Sequence, residues 1–302
     1  MNFVPWKAKN RGKVTILSGE KMFIARWLIS LVRPLVECFP RLAALYRGMR
    51  DQLDGMEKPQ LTPWDFKLAG NLAMTQGTFE PVETALVRKI LKEVDILVNV
   101  GANIGYYCCH ALSMGKSVIA FEPIPRNFSR LCKNIKANNW SGAEIYPIAL
   151  SNNVDVLEIY GSGTGASILK GWAGTSENFV TLVPSSTMDL VLGNRMQGKR
   201  VFVLIDVEGA EFWMLEGAST LLANDPKPIW LIEITTDEHQ PEGAIINPHF
   251  KNTFQLFLQN GYQAFNVEQD LRPVTMEQID LASKGSFKFK SHNFLFKAAE
   301  YS

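Results

Sequence analysis

Four cysteines and four histidines are few for a chain of 302 residues, and their placement narrows the chemistry. Cys38, Cys108, Cys109 and Cys132 form no C-x-x-C pair; they read as small core hydrophobes of a reducing compartment, which points to the cytoplasm. Long apolar runs are missing too. The best candidate, Met22 to Val32, is interrupted by Arg26 and too short to span a bilayer, and the opening Met-Asn-Phe-Val-Pro-Trp has no secretory pattern. No internal repeat or low-complexity tract is visible. Net charge is only +1, but its distribution is lopsided: residues 1–50 hold ten Lys/Arg against two acids, leaving 21 against 28 in the other 252. An acidic body argues against a nucleic-acid acceptor, whose phosphates call for a basic face.

What is present is a hydrophobic content of 46%, enough to bury a full core. The expected organisation is a basic helical appendage over residues 1–60 and one large domain over 61–302. Within the appendage, Lys21 to Val32 spaces Arg26 and Ser30 four apart, with Arg33 next on the same face, and is stopped by Pro34. Arg41 to Leu53 groups Leu42, Leu45, Tyr46, Met49 and Leu53 on one side. Two readings satisfy this pattern: helices packed on the body, or residues 20–54 in peripheral contact with an anionic membrane at its inner surface. Oligomeric state leaves no mark in the sequence.

After a proline-containing linker around Lys58 to Pro63, helix and strand patterns alternate. Strands are expected at Asp95–Val100, Ser117–Phe121, Glu144–Leu150, Val201–Ile205, Ile229–Ile234, Tyr262–Val267 and Asn293–Phe296. Helices are expected at Glu83–Leu91, Ile104–Met114, Arg126–Asn139, Gly209–Leu222 and ending at Gly261. In the helix after Gly209, Ala210, Trp213, Met214, Gly217, Ala218 and Leu221 are expected inward. Alternation of this kind predicts an α/β fold with a parallel sheet covered on both faces. Val154–Tyr160 reads as an added antiparallel strand and Phe179–Val183 as another short one.

The most informative segment is Asn99-Val-Gly-Ala-Asn-Ile-Gly105, a glycine-punctuated turn between a strand and a helix. Gly101 and Gly105 would let backbone N–H groups approach a ligand at the helix N-terminus. The next strand ends on Glu122, suited to the two hydroxyls of a ribose. A dinucleotide normally takes G-x-G-x-x-G, whereas this turn is G-x-x-x-G. S-adenosylmethionine fits better, because it carries no phosphate and its ammonium and carboxylate could meet Asn99 and Asn103.

In open α/β sheets ligands bind beyond the carboxyl ends of the strands. Asp206, Glu208 and Glu211 follow one such end; Glu233, Asp237, Glu238 and His239 follow another. Asp206 is the first candidate for a catalytic or cofactor-binding carboxylate, Glu233 the second and His239 the third. Glu211 reads as a helix-terminal acid offsetting the macrodipole. Asp206 with Glu233 could hold a divalent metal, but two carboxylates on different strands do not predict one.

These motifs match a known family. On Gly77-Thr-Phe-Glu80, Val100-Gly-Ala-Asn-Ile-Gly-Tyr106, Ala120-Phe-Glu-Pro123 with Asn127, Ala149-Leu-Ser151, Leu204-Ile-Asp-Val-Glu-Gly-Ala-Glu211, Glu233-Ile234 and Asn293-Phe-Leu-Phe296, the chain resembles the FkbM-type S-adenosylmethionine-dependent methyltransferases from about Gly77 onward. The resemblance implies a Rossmann-like, seven-stranded, mostly parallel sheet with one antiparallel edge strand. It implies S-adenosylmethionine as methyl donor, held by Asn99, Gly101, Asn103, Gly105, Glu122, Asn127, Ala149 and Asp206. It further implies O-methylation, often of a sugar, glycan or secondary metabolite. Where such proteins usually carry Asp before the glycine turn this chain has Asn99, which accepts a hydrogen bond from the donor's ammonium but lacks the charge. A binding or scaffold protein that keeps the fold without the chemistry is the competing reading.

Overall fold

The computed structural model describes residues 57–161, 165–175, 177–268 and 270–298; the two helices expected before residue 54 fall outside them. In chain order the strands are β1 (Gln60–Leu61), β2 (Lys67–Leu68), β3 (Ile96–Val100), β4 (Ser117–Phe121), β5 (Ala143–Tyr146), β6 (Ala149–Leu150), β7 (Asp155–Tyr160), β8 (Val180–Ser186), β9 (Val201–Ile205), β10 (Ile229–Glu233), β11 (Tyr262–Val267), β12 (Leu271–Pro273) and β13 (Asn293–Ala298). Eight of them form one sheet in the order β12-β11-β13-β10-β9-β3-β4-β5. From β10 to β5 all neighbours are parallel. The reversed β13 lies between β10 and β11, and β12 adds a short reversed eighth strand at the edge.

All five residues of β3 are buried, because its two faces serve two different layers. Ile96, Val98 and Val100 point toward the helices Glu211–Glu216 and Phe250–Gln259, while Leu97 packs with the helices Pro81–Leu91, Tyr106–Ser113 and Pro125–Ala137. Parallel strands covered on both sides must read as unbroken apolar runs, and Asn99 is the polar exception in β3. Pairing of Val100 with both Phe121 and Ile205 levels the strand ends, so Gly101, Glu122 and Asp206 emerge side by side.

Several elements differ from the sequence reading. The linker at Lys58 to Pro63 contains half of a short antiparallel pair, β1 with β2. The strand expected over Glu144–Leu150 is cut at Pro147, which has no N–H to give a ladder; β6 pairs instead with β8, and β8 with β7, in a separate three-stranded sheet. The helix expected over Gly209–Leu222 breaks into Glu211–Glu216 and Ser219–Leu222. Asp189 causes the break: its backbone N–H donates to the Gly217 carbonyl, and its carboxylate accepts from Ser219 Oγ and the Thr220 N–H. In the first of these helices Leu215 is buried and Trp213 is half-buried.

Candidate active site

The turn after β3 keeps its polar backbone to itself. The N–H groups of Gly101 and Ala102 both donate to the Phe121 carbonyl, at 3.0 and 2.9 Å, and Gly105 N–H donates to Ala102 at 2.8 Å. Asn103 N–H donates to Glu122 Oε2 at 2.7 Å. The expectation that Gly101 and Gly105 open these donors to a ligand is therefore corrected. Both glycines have positive φ, and a Cβ on either would collide, with the Asp206 carbonyl at 101 and with the Leu131 side chain at 105. The glycines are required by close packing and by left-handed backbone. Four donors already engaged leave little to bind a pyrophosphate, which suits a cofactor without one.

Glu122 is 3% exposed and lines a cavity of about 620 Å³ together with Ile124, Asn127, Ala149, Ala166 and Ile168. Its carboxylate accepts from the N–H groups of Asn103 and Ile124 and from Asn127 Nδ2, at 2.7, 2.9 and 3.4 Å. Burial pushes it up to about 7 against the lowering effect of those donors. An ionised carboxylate offers about four acceptor positions, so one remains for a hydroxyl in the cavity.

A second cavity, of about 640 Å³, lies on the other side of the bend. Gly101, Asn103 and Asp206 line both. Asn99 also lines this one; its Nδ2 donates to Cys108 Sγ at 3.3 Å, and its buried Oδ1 has no partner. An orphaned buried acceptor is costly, and an ammonium or N–H from a ligand would satisfy it. Glu80, Glu83, Asp206 and Glu233 complete a strongly acidic wall. Asp206 is open to the cleft and otherwise enclosed by protein; that enclosure, then Glu233, Glu208, Glu211 and Glu80, hold its carboxyl well above the usual range. Enclosure, with Glu208, Glu80 and Glu83, pushes Glu233 up to about 7.

His239 lines neither cavity. It is exposed in the loop after β10, its ring 6.0 Å from that of Trp172, and its carbonyl accepts from Ala173 N–H. Glu208 is drawn the same way, accepting from Trp172 Nε1 at 2.8 Å. Glu211 accepts from Gly209 N–H at 3.0 Å, at the start of its helix, and burial pushes it up to about 8. Glu80 and Glu83 were not singled out by the sequence as site residues; Glu80 sits in the Gly77-Thr-Phe-Glu80 string, which was the available signal. Glu80, Asn103 and Glu208, which line the cavities, hold positive φ without being glycine, backbone strain of a kind found at functional sites. Among the described residues no group of three or more His, Cys, Asp or Glu is arranged to hold a metal ion, and no helix is long and apolar enough to cross a membrane.

The family model described as Methyltransferase FkbM domain matches residues 99–264, more than half of the chain. No curated protein matches it in sequence. Among solved structures, it is similar to a precorrin-6y C5,15-methyltransferase from Geobacter metallireducens, at 9% identity over 76% of this chain and 92% of that one, with a TM-score of 0.36. It is similar to an O-methyltransferase family protein from Burkholderia thailandensis at 8% identity, over 93% and 71%, with a TM-score of 0.39. Aeropyrum pernix fibrillarin in complex with S-adenosyl-L-methionine gives 13% identity over 72% and 73%, with a TM-score of 0.37.

Proposed function

Because the chain belongs to the FkbM methyltransferase family, and is thus an S-adenosylmethionine-dependent methyltransferase, we propose that it methylates a hydroxyl of a small-molecule or glycan acceptor. The observation that carries this reading is the place of Asp206 in the wall common to both cavities, with Glu233 in the same acidic wall. S-adenosylmethionine supplies an electrophilic methyl carbon on a sulfonium, which departs as a neutral thioether. In our reading Glu122, Asn127 and Ala149 hold its nucleoside end, and Asn99 Oδ1 accepts from its ammonium. Gly101, Asn103 and Asp206 line both cavities, so they would lie against the middle of a donor that reaches into each.

Such a displacement needs the acceptor oxygen about 3 to 3.5 Å from the methyl carbon. Asp206 orients the acceptor hydroxyl, and Glu233 takes its proton as the carbon–oxygen bond forms and the carbon–sulfur bond breaks. A base poised near the working pH contributes roughly 10² to 10⁴ in rate, and Glu233, pushed up to about 7, meets that requirement. His239, exposed outside the cavities, is left out of this scheme. The basic leader adds a separate proposal, that residues 20–54 hold the enzyme against anionic lipid; co-flotation of the full chain with anionic but not neutral vesicles tests it.

The chemistry is tested with donor tritiated in its methyl group and a panel of sugars and polyketide alcohols. Label that survives mild alkali, in a product whose new methyl is shown by NMR to be bonded to oxygen, is an ether and supports the reading; label released by alkali as an ester, or a methyl bonded to carbon or nitrogen, contradicts O-methylation of an alcohol. Asp206→Asn should reduce turnover far more than donor binding. No transfer to any member of the panel would weigh against the proposal.

A further inference from the structure

We propose that the acceptor bears a protonated amine near its reacting hydroxyl, and that Glu80 and Glu83 anchor that ammonium. The inference rests on the methyltransferase reading of the same cleft. Four carboxylates line the cavity that Asn99 borders, from Glu80, Glu83, Asp206 and Glu233, and no Lys, Arg or His does. Among the described residues none of the four makes an ion pair. Glu80 accepts from the neutral Tyr107 hydroxyl at 2.6 Å and Glu83 from the neutral Asn293 amide at 3.3 Å. Burial raises Glu80, and the neighbouring Glu83 adds to that. Carboxylates crowded together without a cation hold on to their protons, and a positive charge supplied from outside lets them ionise and is bound in exchange.

A second observation points to a ligand independently. Asn99 is 2% exposed and carries an acceptor oxygen without a partner on the same cavity. The donor's ammonium can satisfy that oxygen. The donor as a whole, with sulfonium, ammonium and carboxylate, brings a net charge of only one, which leaves the Glu80 and Glu83 side of the cleft in surplus. An acceptor carrying phosphate or carboxylate would meet repulsion from every charged side chain there. A neutral polyol would leave the surplus uncompensated. An amine-bearing polyol answers it, with its ammonium beside Glu80 and Glu83 and its hydroxyl presented to Asp206 and Glu233.

The test is calorimetric titration of the full chain, saturated with S-adenosylhomocysteine, with D-glucosamine, N-acetyl-D-glucosamine and D-glucuronate at neutral pH. Glucosamine should bind at least about tenfold more tightly than its N-acetyl form, with glucuronate weakest; that is the discrimination expected of a charge-assisted contact in a partly enclosed site. The preference should shrink as salt is raised through the range that shortens the Debye length. Glu83→Gln keeps the bond from Asn293 and should cut the preference to less than about threefold by removing the charge-assisted contact; Glu80→Gln is the second variant, and thermal unfolding checks that both fold. Equal binding of glucosamine and its N-acetyl form, tighter binding of glucuronate, or no binding of glucosamine overturns the inference, and the salt series on the unmodified protein decides even if both variants unfold. Titration with S-adenosylmethionine runs alongside. Failure of the donor to bind sinks the methyltransferase reading itself, whereas donor binding without an amine preference sinks this inference alone.

Discussion

The Asp206 carbonyl fills the space that a side chain on Gly101 would occupy, and Asp206 N–H donates to the Val100 carbonyl at 3.1 Å. The bend after β3 and the acid after β9 are thus set against each other as one piece. Gly101→Ala must strain a positive φ, at about 1–2 kcal/mol, and push the β9 tip away, at about 1–3 kcal/mol. We expect it to lower unfolding stability by about 2–5 kcal/mol in urea denaturation, with donor affinity falling alongside because the bend that lines both cavities moves. Stability and binding both equal to the parent's would contradict the coupling.

Activity should depend on pH through Glu233, whose carboxyl stands at about 7 chiefly through burial. A base must be ionised to accept a proton, so kcat/KM is expected to rise as pH increases through about 7 and to level above it. Glu233→Gln should lower the plateau by roughly 10² or more and remove that limb. A rising limb unchanged in the variant would assign the titration to another group.

Much of this arrangement is legible in the sequence, for a definite reason. β4 and β9 coincide residue for residue with the strands expected from the chain, because central parallel strands covered on both faces have to be nearly continuous in hydrophobicity. Asn99, Glu122 and Asp206 follow from strand ends, where polarity has no structural excuse. Partners remote in sequence are not legible. Nothing local says that Phe121 takes the N–H groups of Gly101 and Ala102, that Glu80 and Glu83 converge with Asp206, or that His239 turns toward Trp172. The separate sheet of β6, β7 and β8 is hidden similarly, since Pro147 signals a break but not where the chain pairs next.

Stability should move in the opposite sense to activity. Glu211 stands at about 8 in the folded protein against an ordinary 4.5, because burial disfavours its charge. The folded state therefore holds that proton more tightly. Its contribution is fully present below about 4.5 and is lost as pH rises through about 8, with a slope of at most about 1.4 kcal/mol per pH unit. Glu211→Gln keeps an acceptor for Gly209 N–H and removes the titration. Urea denaturation between acidic and alkaline buffers should show a smaller loss of stability for the variant than for the parent; parallel curves would contradict this.

Trp172 fastens the segment that lines the cavity around Glu122, where the nucleoside of the donor is proposed to bind. Its Nε1 donates to Glu208 at 2.8 Å, and a Cβ on Gly209 would lie 2.6 Å from its ring. Ser167 Oγ donates to the Glu208 carbonyl at 2.5 Å, and between these anchors Ile168 faces the cavity. A hydrogen bond to a charged group is worth about 1.5–3 kcal/mol; the phenyl ring in Trp172→Phe loses that bond and keeps part of the packing. Donor affinity should fall about 3- to 10-fold in that variant while kcat at saturating donor changes little. Unaltered affinity would separate this segment from cofactor binding.

The most direct measurement is calorimetric titration of the full chain and of Glu122→Gln with S-adenosylmethionine. Glu122 is buried, lines the cavity proposed for the nucleoside and accepts from Asn103 at the bend. A charged acceptor lost from a ribose contact should weaken donor binding by roughly 10- to 100-fold at one site per chain. An absence of binding to the unmodified chain, or identical affinities for the two proteins, would contradict the account.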